Sequence, residues 1–71
     1  MENRLRLLRT IKEAKQEEIA NLLGTSQQQY SLYENGTREL KANQIRILCE
    51  YYDVSADYII GLSHQRRFPK W

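Results

Sequence analysis

The chain has 71 residues, 28% charged and 41% hydrophobic, with a net charge of +2 from 11 basic and 9 acidic side chains. That length fits one domain, and the composition excludes both a disordered and a collagen-like chain. The charge is unevenly placed: residues 1–61 carry 8 basic and 9 acidic side chains, and the basic excess sits in Arg66, Arg67 and Lys70.

Several classes fall away. No apolar run approaches the roughly 20 residues of a membrane span, so no membrane partner is expected. Met1-Glu2-Asn3-Arg4 is followed by no signal-peptide core, and a cytoplasmic location is expected. The single Cys49 excludes an internal disulfide and suits a reducing compartment. One His and one Cys cannot make a structural zinc site, so no metal is expected. Gly24, Gly36 and Gly61 are too dispersed for a phosphate loop. There is no clustered nucleophile, and His64 stands in a presumed tail, so neither an enzyme nor a cofactor nor a small-molecule ligand is expected.

A first helix is predicted from Asn3 to Glu13, with Leu5 and Leu8 on one face and Asn3 as its N-cap. A second runs from Gln16 to Leu23, with Ile19, Ala20 and Leu23 sharing a face and Glu17 and Glu18 in the first turn. Gly24 supplies the positive-φ stop. Ser26 caps a third helix, with Gln29 at the capping-box position, ending near Glu34. Asn35-Gly36-Thr37 is a turn signal. Ile45, Leu48, Cys49 and Tyr52 space a fourth helix over 43–52, and Asp53 and Val54 break it. Ser55 caps a fifth, with Tyr58, Ile59 and Leu62 apolar. Five short helices without a strand signal make an all-α domain over 1–62, followed by a basic and aromatic tail over 63–71. Helices two and three, joined by a three-residue turn containing glycine, form a helix-turn-helix.

On a wheel of about 100° per residue the third helix divides into two faces, with Glu34 at the boundary. Tyr30 and Tyr33 form an inward face, and Gln27, Gln28, Ser31 and Leu32 form the opposite one. That outward face is neutral and amide-rich, where an ordinary solvated face carries Lys and Glu. Glutamine bonds bidentately to adenine N6 and N7 in the major groove, and an apolar side chain can contact a thymine methyl. Gln27 and Gln28 are therefore candidate base readers rather than mere helix formers. Ser31 suits a base edge or a phosphate. Leu32 suits either the groove or packing against a neighbouring loop.

Gln16-Glu17-Glu18-Ile19-Ala20-Asn21-Leu22-Leu23-Gly24-Thr25-Ser26 and Tyr33-Glu34-Asn35-Gly36, with the later Asp53-Val54-Ser55-Ala56-Asp57-Tyr58-Ile59-Ile60-Gly61, resemble the phage repressor/Cro-type (XRE) helix-turn-helix family over about residues 3–62. The resemblance implies a five-helix repressor-like fold and double-stranded DNA as the partner. It implies base reading by Gln27, Gln28, Ser31 and Leu32. It implies phosphate binding by Gln16, Ser26, Asn35, Thr37 and Arg38. It implies a salt bridge between Arg9 and Glu34, and a close approach of helices two and three at Ala20. The family's glycine at the end of helix one is Glu13 here and its Ser/Thr cap of helix two is Lys15, which predicts a smooth run of helix one into a poorly capped helix two. The usual aliphatic residue of mid-helix three is Tyr30, which demands a larger pocket. Cys49 stands where the family has alanine and reads as a small buried residue rather than a redox sensor.

The expected function is sequence-specific regulation of transcription, as a repressor on a pseudo-palindromic operator. One helix reads few base pairs, so a homodimer with recognition helices about 34–36 Å apart is expected. Ile59, Leu62, Phe68 and Trp71 are the candidate dimer contacts, unless Ile59 is core. The alternatives are a protein-interaction module, such as an antitoxin or regulator-binding partner, and the N-terminal domain of a longer sensor.

Overall fold

The structure, a computed structural model, describes residues 3–61. Five helices follow in order: α1 (Leu5–Ile11), α2 (Gln16–Leu22), α3 (Gln27–Glu34), α4 (Ala42–Tyr52) and α5 (Ala56–Ile59). No strand occurs among the described residues, and none of the helices is long and apolar enough to cross a membrane. The fold is all-α, as the spacing of apolar residues predicts. The presumed tail, 63–71, lies outside the described residues.

Each helix contributes its apolar stripe to one core. Leu5 and Leu8 of α1, Ile19 and Ala20 of α2, Tyr30 and Tyr33 of α3, Leu48 and Cys49 of α4, and Tyr58 and Ile59 of α5 are all buried. Val54, in the α4–α5 break, is buried with them. Cys49 is a free thiol, and burial pushes its pKa up, away from the reactive thiolate. Ile59 is fully buried within this one chain. It is therefore core, and the expectation that it contacts a second copy is corrected.

The helix ends show how the chain turns. The first helix is shorter than the spacing predicts. Asn3 still serves its start, because its Oδ1 accepts from the Leu5 N–H at 3.0 Å, although Arg4 occupies the N-cap. Its other end contradicts the smooth run into α2. Glu13 adopts a left-handed φ of 56°. The Ala14 N–H donates to the Arg9 carbonyl at 3.0 Å and the Glu13 N–H to Thr10 at 3.1 Å, a Schellman closure. The geometry of the turn is thus retained without glycine, at a steric cost of about 1–2 kcal/mol. Lys15 supplies no side-chain cap to α2, as its chemistry predicts.

Candidate nucleic-acid interface

The link from α2 to α3 is built by one glycine. Gly24 has φ 70°, its N–H donates to Asn21 at 3.1 Å, and the Thr25 N–H donates to Ala20 at 2.9 Å. A β-carbon placed on Gly24 would meet nothing within 4 Å. The position needs glycine for its backbone angle, not for space. Ala20 is almost fully buried as α2 and α3 pack against each other. Ser26 then starts α3, its Oγ accepting from the Gln29 N–H at 3.1 Å. No bond from the Gln29 side chain back to Ser26 accompanies it among the described residues, so the capping box is half formed.

The inward face of α3 is held at several points. Tyr30 is completely buried and Tyr33 nearly so. Asn3 Nδ2 donates to the Tyr33 carbonyl at 2.8 Å. Gln44 Nε2 donates to the Tyr33 hydroxyl at 3.3 Å, while Gln44 Oε1 accepts from the Lys41 N–H at 2.8 Å. Tyr33 therefore links the front of α1 to the start of α4. Sequence reading missed Asn3 and Gln44 in these roles; the Gln44 position, three residues after the α4 N-cap Lys41, was a local signal.

Glu34 is the hub. Its side chain is 1% exposed and meets Arg9 through two bonds, Nε to Oε2 at 3.0 Å and Nη2 to Oε1 at 2.8 Å. This bidentate fork is the strong form of carboxylate pairing. Arg9 Nη1 also donates to the Ala14 carbonyl at 3.1 Å, so one guanidinium joins α3 to the turn after α1. Arg6 Nε and Gln16 Nε2 each reach Glu34 Oε1 at 3.4 Å. Gln27 Nε2 in turn approaches Gln16 Oε1 at 3.5 Å. Burial alone would raise the Glu34 pKa, but the bonds from Arg9, supported by the one from Gln16, together outweigh it and hold it below the usual carboxylate value. The bond to Glu34 raises the Arg9 pKa in return. Burial first, and the adjacent Glu34 carboxylate second, push the Tyr30 phenol far above its ordinary value. The Tyr30 and Tyr52 hydroxyls are buried without a hydrogen-bond partner of good geometry among the described residues. Burial likewise pushes the Tyr52 phenol up to about 12.

The outward groups form a separate surface. Gln27 and Gln28 are exposed, and Ser31 and Leu32 are half-buried one turn later. Ser26, Thr37, Arg38 and Lys41 are also exposed. Asn35 is exposed, and its Oδ1 accepts from the Thr37 N–H at 2.9 Å, which leaves only the amide Nδ2 to donate outward. The Arg38 N–H donates to the Leu32 carbonyl at 3.1 Å, tying the loop to the end of α3. Arg9 and Glu34 are brought together at the back of this surface. Leu62, Phe68 and Trp71 lie outside the described residues.

Two short helices set by a glycine turn, the second presenting an uncharged amide face, define a helix-turn-helix module. The helix-turn-helix domain model matches residues 3–62. The chain is 37% identical over 60 residues to YobD of Bacillus subtilis (strain 168), an uncharacterised HTH-type transcriptional regulator. That match covers 84% of this chain and 54% of the relative, so the chain spans about half the relative's length. No solved structure matches significantly. The chain belongs to the helix-turn-helix domain family.

Proposed function

We propose that this chain reads double-stranded DNA as a transcriptional repressor, with α3 in the major groove. The carrying observation is the division of α3. Its inner face is locked by Glu34, Tyr30 and Tyr33, and its outer face offers Gln27, Gln28, Ser31 and Leu32. A rigid inner face fixes the angle at which amides meet base edges, which is what specificity requires. Gln16, Ser26, Asn35, Thr37 and Arg38 surround that face and contact phosphates, which set register without reading sequence. The printed description of the Bacillus relative as a transcriptional regulator supports the same reading. A body of residues 1–61 with near-balanced charge gives little non-specific attraction, so local cations and base contacts carry affinity.

The protein binds as a two-fold dimer on half-sites about 34–36 Å apart, because one short helix covers too few base pairs. Occupancy of an operator overlapping a promoter then represses by exclusion. Selection from randomised duplexes tests the reading. Gln28→Ala relaxes preference at one base position by about 1–3 kcal/mol, while Arg38→Ala weakens all sequences alike and lowers the salt slope by about 1. Selection profiles indistinguishable between the parent and Gln28→Ala would remove the base-reading role.

A further inference from the structure

Arg6 and Arg9 share the face of α1 that meets Glu34, but they use their donors differently. The Arg9 side chain is 20% exposed, and its Nε, Nη1 and Nη2 all bond within the protein. The Arg6 side chain is 73% exposed and touches Glu34 through Nε alone, at 3.4 Å. A guanidinium presents a planar fork of N–H donors. Among the described residues, neither Nη group of Arg6 has a hydrogen-bond partner.

Glu34 does not need this second cation. Arg9 already meets both of its oxygens, and a long ion pair to a side chain this exposed adds little stability. What the Nε contact does is hold the guanidinium in one place. Arg6 Nε and Gln16 Nε2 both reach Glu34 Oε1 at 3.4 Å, so Arg6 stands beside Gln16, one of the proposed phosphate contacts. Glu34 is followed directly by Asn35, another of them. Gln16 in turn meets Gln27 at the start of α3. Arg6, Arg9 and Glu34 together carry one net positive charge, and Arg6 is where that charge meets water. A forked, charged donor matches a phosphate, whose oxygens it bonds in pairs.

We propose that Arg6 is a phosphate-binding residue, tethered by Glu34 so that its Nη1 and Nη2 bond the backbone of the duplex that α3 enters. The inference rests on the DNA-reading function proposed above and extends its phosphate contacts to α1. Such a contact adds affinity and sets register but carries no base preference. The full 71-residue chain is titrated with its selected duplex and with a random duplex across a range of salt concentrations. Arg6→Ala weakens both by the same factor and lowers the salt slope by about 1, the value of one phosphate contact. Its base-preference profile and urea midpoint match the parent. Arg6→Gln, also a good helix former, gives the same drop in slope. Lys12→Ala removes an equal charge over Tyr51 and leaves the slope unchanged. Equal drops for Arg6→Ala and Lys12→Ala reduce the effect to net charge and overturn the proposal. A slope unchanged in Arg6→Ala but lowered in Arg38→Ala also overturns it, with the DNA-reading function intact. A parent that binds no duplex removes that function and this contact together.

Discussion

Helix α1 and the residues that cap it, Arg4 and Lys12, use basic side chains in two ways. Toward α3, Arg9 is largely buried and forks onto a carboxylate that is 1% exposed. Toward α4 and α5, Arg4 and Lys12 lie over aromatic rings, 4.2 Å from Tyr58 and 4.1 Å from Tyr51, and each donates to the backbone carbonyl of the residue whose ring it covers. The first arrangement has one geometry and leaves a stranded charge if broken. The second is half in water and tolerates loss. The contrast places rigidity where α3 is oriented and leaves the side toward α4 and α5 more forgiving. Electrostatics here does more to set the pose of α3 than to add bulk stability, since burial of both charges carries its own desolvation cost.

The sharpest way to break the contrast is Arg9→Met. It leaves Glu34 buried with only its weaker partners, and a loss of about 3 kcal/mol is expected by urea denaturation. That is comparable to the whole stability of a core this size, about 3–5 kcal/mol. The pH dependence has a definite sign. Glu34 is depressed in the folded state, so its contribution is full above the unfolded carboxylate pKa near about 4.3 and is lost as pH falls through the folded value. The parent therefore loses stability below about pH 4 by a route that Arg9→Met largely lacks. A parent and variant with parallel acid profiles would show that the pair does not hold α3.

Smaller effects sharpen the same comparison. Tyr30→Phe removes a buried hydroxyl that lacks a well-formed bond beside Glu34, and stability changes little or rises by about 1 kcal/mol. A clear loss would mean that the phenol donates to Glu34 in solution. Glu13→Gly relieves the left-handed turn that Arg9 braces through Ala14. A gain of up to about 1 kcal/mol in thermal or urea unfolding is expected. Lys12→Ala, on the forgiving side, costs only about 0.5 kcal/mol in the same measurement.

Much of this was legible in the residues. Ser26 and Ser55 were readable as caps because each is a serine just after a break and just before a helical stretch, where its hydroxyl can accept from a free N–H; each accepts the N–H three residues on. Gly24 was readable as the turn because a left-handed stop favours glycine. Tyr30 and Tyr33 were readable as the inner face of α3 because periodicity alone separates them from the glutamines. Glu13 was misread for the same reason that Gly24 was read correctly. Local preference disfavours a left-handed glutamate, and it is held there by the Schellman bonds and by Arg9 at the Ala14 carbonyl.

The amino-acid pattern by itself determined five helices, a glycine turn and an amide face on the third, since these follow from local sterics and a 3.6-residue period. Beyond the Arg9–Glu34 pair, which the family resemblance implied, only the tertiary structure decided which long-range partners meet. It joined Gln27, Gln16, Glu34 and Arg9 in one polar chain. It set Asn3 and Gln44 on Tyr33. It took Ile59 into the core, and it left Leu7 and Ile11 outside. The reason is physical. Hydrogen bonds and burial across 11 to 30 residues of separation depend on how helices cross. No spacing within one helix encodes that crossing.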